Sequence, residues 1–337
     1  MKAGIVAGEF GLDHLGVGEL DEPIPGPGQV RVAVQACSLN YRDLLMVRGH
    51  YNPRQPLPLV PLSDGVGRID AVGDGVQGLA VGDRVAGLFA PLWASGRPTK
   101  AAIRQTRGGP LPGMLSEWVV SDASGVAPVP DHLSDAEAAT LPCAALTAWS
   151  ALVTYGRIKA GDTVLVQGSG GVASFALDFA RLHGARVIAT TSSDIKAQYL
   201  RERGADVVVR YDQEPAWGKS VRRLSDGGVD HVVEVGGVGT LAQSLAAVRP
   251  GGTISLIGVL AGTKATLDLT PALMSNIAVQ GIFVGHREGF TAMSGAIGLA
   301  GIRPRIERVF PMSEVRAAFE TLAAAGHCGK ICVAVAD

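Results

Sequence analysis

Residues 163–191 read TVLVQGSGGVASFALDFARLHGARVIATT: an apolar run, a glycine-rich turn and a segment with helical spacing, in that order. Gly168, Gly170 and Ala173 form G-x-G-x-x-A between a predicted strand, Thr163–Gln167, and a predicted helix, Val172–His183. The first glycine permits a tight turn, and the second lets the backbone approach a pyrophosphate. The third small residue lets helix and strand pack closely. The helix N-terminus then offers unpaired N–H groups and a positive dipole end to phosphate. This arrangement predicts a dinucleotide site at the edge of a parallel sheet.

The rest of the chain supplies that sheet. Candidate strands Arg186–Thr190, Val207–Arg210, Val229–Val235, Thr253–Ile257 and Ala278–Val284 alternate with helical segments Asp194–Arg203, Trp217–Leu224 and Leu241–Val248. Short apolar strands followed by crossover helices predict an α/β fold with a doubly wound Rossmann sheet. Residues 1–143 differ. Runs at Val30–Ala36, Gly65–Val72, Arg84–Leu88 and Leu115–Val120, separated by Gly/Pro/Asp clusters, predict a small β-barrel with loops. Ala90–Gly113 has no periodicity and reads as a long surface loop or lid. Residues 134–156 carry helical spacing after a Ser-Asp-Ala-Glu start. Ser313–Ala325 reads as a helix and Lys330–Val335 as a strand, both returning to the first domain. With 337 residues, two domains are expected: 1–143 with 285–337, and 144–284.

Composition removes several classes of function. A net charge of −1 leaves no electrostatic footprint for nucleic acid or an anionic membrane. No uninterrupted apolar run reaches about 18 residues, so no membrane span is expected. The opening MKAGIVAGEF lacks the features of a secretory signal. Cys37, Cys143, Cys328 and Cys332 fit neither a disulfide framework nor a CxxC zinc pattern, so they read as reduced thiols in a cytoplasmic protein.

The end of the second strand bears on the cofactor. NAD sites usually place a carboxylate there for the ribose 2′-OH. Here the residues are Thr190, Thr191, Ser192 and Ser193, followed by Asp194 and Lys196. Hydroxyls and a nearby lysine suit a 2′-phosphate, which favours NADP(H) over NAD(H). The alternative is that Ser192 or Ser193 only caps the next helix and Lys196 is a solvated charge.

Several further stretches carry a resemblance: Pro25–Asp43, Val81–Val85, Leu141–Trp149, Gly227–Gly237 and Gly326–Lys330. Together with the glycine loop they resemble the medium-chain dehydrogenase/reductase superfamily, over nearly the whole chain. The likeness is nearest to its zinc-independent quinone oxidoreductase and enoyl reductase group. The resemblance implies a GroES-like β-barrel-type catalytic domain joined to the Rossmann domain. It also locates the positions that hold catalytic zinc in zinc-dependent relatives, at Asn40, Ser63 (followed by Asp64) and Cys143. Zinc favours Cys, His and carboxylate ligands; only Cys143 and Asp64 could serve, and two are too few for a catalytic site, so no metal is expected.

The same resemblance implies site residues. Asn40 would donate a hydrogen bond to the substrate oxygen, and Tyr51 would line the site and deliver a proton. Asp43 and Asp64 would be supporting groups, and His50 a surface residue. Gly168, Gly170, Gly171, Val172, Thr191, Ser192, Lys196, Tyr211, Gly258, Val259 and Lys330 would bind the cofactor, with Lys330 near its phosphates. Ala278–Val284 would pair across a twofold axis to make a homodimer. The implied activity is NADPH-dependent hydride transfer to a small-molecule quinone, enone or enoyl-type C=C. A zinc-independent alcohol or aldehyde dehydrogenase is the alternative within enzymes, and a non-catalytic NADPH-binding protein the alternative outside them.

Overall fold

A computed structural model describes residues 1–264 and 266–336; Ala265 and Asp337, inside the expected domain spans, lie outside the described residues. The chain divides into two units, Met1–Leu146 with Gly285–Asp337, and Thr147–Val284.

The first unit is built on a sheet ordered Ile306–Pro311, Lys330–Ala334, Gln29–Ser38, Asp64–Val72, Arg84–Gly87 and Val126–Pro128. Trp118–Asp122 also pairs with Gln29–Ala33. Along Gln29–Ser38 the alternation of residue types turns Val30, Val32, Val34 and Ala36 inward, where all four are buried. A larger cluster of Leu39, Leu44, Met46, Phe310, Phe319, Ile331 and Val333 fills the core beneath. The C-terminal strand runs antiparallel to Gln29–Ser38, with Cys332 opposite Ser38 and Ala334 opposite Ala36. Continued past Ser38, where Leu39 N–H donates to the Ile331 carbonyl at 3.0 Å, this register brings Lys330 to Asn40.

Two expectations for this unit need correction. Ala90–Gly113 is not a free loop: it contains a short helix, Lys100–Arg104, and Thr106–Gly109 is buried. The reason is Arg42, whose guanidinium donates to the carbonyls of Arg107 (2.8 Å) and Gly109 (3.2 Å). Regular pairing begins at Trp118 instead of Leu115, because Met114–Ser116 bonds elsewhere: Met114 N–H to Leu62, Gly4 N–H to Leu115. The continuous helix Asp135–Thr154 is long and apolar enough to cross a membrane (mean hydropathy 1.2), yet 78% of its apolar window is buried inside the fold. It starts at a Ser134–Glu137 capping box and contains π-helical turns at Leu141–Ala145 and Ser150–Thr154.

The second unit is a six-stranded sheet in the order Val207–Arg210, Arg186–Thr191, Thr163–Gln167, Val229–Glu234, Val248–Leu256 and Ala278–Gly281, every pair parallel. Leu165, Ile188, Val232 and Ile254 pack beneath Trp217, Val221, Leu241 and Leu245 from the helices. Ala278–Gly281 is an edge strand shorter than the expected Ala278–Val284, and all four residues are exposed.

Candidate active site

In the first unit, polar side chains converge in an apolar setting. Asn40, Asp43, Ser63, Asp64 and Lys330 are all buried. Lys330 donates to the Leu39 carbonyl and to Asn40 Oδ1, each at 2.5 Å. Asn40 Nδ2 donates to Asp64 Oδ2 at 2.8 Å and to Ser63 Oγ at 3.3 Å. The neighbours fix the amide orientation, since the ammonium must face oxygen and the carboxylate must face N–H. Asp43, in the first turn of the helix Tyr41–Val47, accepts from the backbone N–H of Asn40 (2.9 Å) and of Ser63 (3.1 Å). Burial pushes the Asp64 carboxyl up to about 7, with Asp43 adding to the rise and Lys330 opposing it. Cys143 lies in the Leu141–Ala145 π-turn, the kind of helix irregularity that recurs at functional sites. Burial pushes its thiol up, towards the neutral form.

This geometry bears on three expected roles. Asn40 does not present a free amide: its oxygen and both N–H groups are engaged by Lys330, Asp64 and Ser63. Lys330, expected near the cofactor phosphates, is 4% exposed, and its ammonium is bonded to Leu39 and Asn40 within the first unit. Tyr51 is 44% exposed, and its ring lies 5.0 Å from the Arg42 guanidinium, outside the hydrogen-bonded cluster. His50 is exposed, as expected. Among the described residues no group of three or more His, Cys, Asp and Glu side chains is placed to hold a metal.

In the second unit the glycine turn has the form its residues predict. Gly168 adopts φ +79°, a left-handed conformation that favours glycine, and its N–H donates to the Thr190 carbonyl at 2.8 Å. A Cβ on Gly168 or Gly170 would meet nothing within 4 Å, so the turn faces open space that a cofactor can enter. Gly171 and Val172 open the helix Gly171–Leu182, for which Gly170 is the N-cap. Thr191 closes the second strand, and its Oγ1 is buried without a hydrogen-bond partner. Ser193 caps the helix Asp194–Glu202 by accepting from Lys196 N–H at 3.3 Å, so it is Ser193 and not Ser192 that is spent on capping. Tyr211 N–H donates to the Thr191 carbonyl at 3.0 Å, leaving its ring 43% exposed beside that strand end. The backbone of this unit therefore suits a dinucleotide.

Two functional candidates escaped the sequence reading. Arg210 ends the strand beside Arg186–Thr191, opposite Thr191, and pairs with Asp212 (2.7 Å) and with Asp194. It pairs with the carboxylate that follows Ser192 and Ser193 in the chain. The second is Glu234, fully buried at the end of Val229–Glu234. Its Oε1 accepts from Gly236 N–H (2.8 Å), Gly237 N–H (3.0 Å) and Thr240 Oγ1 (2.5 Å). Its Oε2 accepts from Gln167 Nε2 (2.8 Å) and from Ser244 Oγ. A strand ending in Glu before paired glycines was the visible signal, but only the fold shows that it ties the Gly168 strand to the Gly236 loop. Gly258 packs backbone to backbone on that loop: a Cβ there would lie 2.2 Å from the Val235 oxygen. Its glycine is thus required by loop packing, while Val259 beside it is 43% exposed.

Comparison with known proteins gives the same two parts. Residues 26–131 match the alcohol dehydrogenase GroES-like domain, and residues 171–298 match the family described as zinc-binding dehydrogenase. A zinc-type alcohol dehydrogenase-like protein of Schizosaccharomyces pombe is 39% identical, covering 95% of each chain. The chain belongs to the medium-chain dehydrogenase/reductase superfamily. It is an NAD(P)-dependent oxidoreductase of that superfamily. An acryloyl-coenzyme A reductase of Metallosphaera sedula is 31% identical, covering 98% of this chain and 99% of its own. The crystal structure of an NAD-dependent alcohol dehydrogenase superposes with a TM-score of 0.92 at 32% identity, covering 100% of both chains.

Proposed function

We propose that this superfamily member reduces an activated acceptor (a quinone, an enone or an enoyl-type C=C) with NADPH and without zinc. The observation that carries the reading is the Lys330 ammonium on Asn40, at the positions where zinc-dependent relatives hold their metal. The donor set there is an amide (Asn40), a hydroxyl (Ser63), the Asp64 carboxylate and the Cys143 thiol, so at most two groups of a zinc-binding type are present, too few for a catalytic site. A dication next to the ammonium would also be repelled. These residues do not fit zinc.

NADPH, when bound, supplies the hydride. The chain's own residues hold and orient it: Gly168, Gly170, Gly171 and Val172 at the pyrophosphate, with Thr191, Ser192, Lys196, Arg210 and Tyr211 at the 2′-phosphate end. Lys330 uses two of its three N–H donors on Leu39 and Asn40. The third, and the charge, can stabilise negative charge developing on an acceptor oxygen, and Asn40 then acts by positioning Lys330. Without a Lewis acid a simple ketone is hard to polarise, whereas a conjugated acceptor spreads the incoming charge. The acryloyl-coenzyme A reductase relative belongs to that chemistry. The structural likeness to an NAD-dependent alcohol dehydrogenase supports the second reading, alcohol or aldehyde turnover without zinc.

We also place the protein in the cytoplasm, a reading supported by Cys37, Cys143, Cys328 and Cys332 being thiols and not disulfides. A homodimer through Ala278–Gly281 is supported by that strand's exposed, unpaired edge.

The test follows NADPH absorbance with the purified protein against quinones, enones, enoyl thioesters and aldehydes, beside elemental analysis. Turnover of a conjugated acceptor, substoichiometric zinc and activity surviving chelation are expected. Stoichiometric zinc with chelator-sensitive turnover of alcohols or aldehydes would overturn the reading.

A further inference from the structure

A groove of about 700 Å³ lies on the first unit, lined among others by Leu92, Arg107, Pro110, Leu111, Trp118 and Asp122. None of these side chains takes part in the Asn40 cluster. Arg107 is 4% exposed, a depth at which arginine is almost never found unless paired. Its Nε is buried with no hydrogen-bond partner. Arg42 also has an unpartnered Nε, but its terminal nitrogens donate to backbone carbonyls and to Asp43 Oδ1 at 3.2 Å. Among the described residues Arg107 has no such anion. Asp122 acts on it through space without a hydrogen bond, and Asp122 Oδ1 accepts instead from Gln29 Nε2 at 3.1 Å. Burial draws the Arg107 guanidinium down to about 10, so it remains a cation at neutral pH.

A buried cation without a counter-charge is costly to maintain. A guanidinium presents its N–H groups as a planar fork that matches a carboxylate edge to edge. Pro110, Leu111 and Trp118 give the groove apolar walls, which suit a ligand with an organic body better than a bare inorganic ion. We propose that this groove is a binding site for a small organic carboxylate, with the carboxylate on Arg107 and an aromatic or aliphatic body against the Pro110, Leu111 and Trp118 walls. Its lining shares no residue with the Asn40, Ser63, Asp64 and Lys330 cluster, and the proposal stands whether or not the proposed acceptor chemistry does.

Benzoate is the probe, titrated calorimetrically into the full-length protein, with benzamide and sulfate as controls. Benzoate should bind at least tenfold more tightly than either control. Arg107→Met should weaken benzoate at least tenfold without lowering the melting temperature of the free protein, because it removes an unpaired buried charge. Benzamide or sulfate binding as tightly as benzoate would overturn the proposal, as would undiminished benzoate affinity in Arg107→Met. If that variant does not fold, Leu92→Trp decides, since Leu92 is 52% exposed and its replacement spares the core. An indole filling the groove should then cut benzoate affinity at least tenfold, and unchanged affinity would overturn the site.

Discussion

Lys330 and Asn40 lie at opposite ends of the chain, yet Nζ stands 2.5 Å from Oδ1. The antiparallel register of Lys330–Ala334 on Gln29–Ser38 forces the meeting, and burial of both partners makes it strong. Removing the charge with Lys330→Met should lower kcat on a conjugated acceptor by on the order of 10²-fold, the usual loss for one oxyanion donor. The NADPH dissociation constant should stay within about twofold. If the dissociation constant moves and kcat does not, Lys330 is a phosphate contact, as the sequence resemblance implied.

Arg210 offers a second separation. It faces Thr191 across the strand pair and cancels the Asp194 charge. Arg210→Met should weaken NADPH by roughly 1–3 kcal/mol, the range for a hydrogen bond to a charged group, and leave NADH nearly unchanged. Fluorescence titration of both cofactors reads this directly. Equal losses for the two would show that the 2′-phosphate does not meet this corner.

Stability should carry the mark of Asp64. Its folded-state value of about 7 lies above the ordinary 3.8, so folding favours its protonated form. The stabilisation is fully present below about pH 4 and is lost as pH rises through 7. Asp64→Asn cannot ionise, so its melting temperature should fall less than that of the wild type between pH 4 and pH 8. Parallel melting curves for the two proteins would show that Asp64 stays charged throughout.

The exposed edge Ala278–Gly281 should pair with a second copy. Val279 is 47% exposed, with Leu273 (77%) and Met274 (76%) close by in the chain. Val279→Arg places like charges across any twofold pairing there, and light scattering should show the dimer mass fall to that of a monomer. A wild-type monomer at micromolar concentration would refute the pairing.

Local patterns made the second unit legible. The glycine turn, the alternation of strands with helices and the Ser193 cap each depend on residues a few positions apart. All recur in the structure with small changes of boundary. The first unit was harder to read because its decisive contacts are distant in sequence. Arg42 binding the carbonyls of Arg107 and Gly109 turned an apparent lid into packed chain. No local pattern could show that Lys330 would engage both ends of Asn40's neighbourhood, or that Tyr51 would stack on Arg42. Glu234 shows the same limit, because it joins Gln167 from a distant strand to Thr240 and Ser244 at the N-cap and in the helix Leu241–Ala247.

That carboxylate also sets a clock. Gly236 and Gly237 stand outside the sheet, where backbone amides ordinarily trade hydrogen for solvent deuterium within moments. Both donate to a fully buried oxygen that Thr240 also holds. Releasing them means exposing Glu234, which requires the end of the central strands to open. In an exchange experiment these two glycines should keep their protons as long as the strands beside them, and Glu234→Ala should release them early while Val232 and Val233 stay protected.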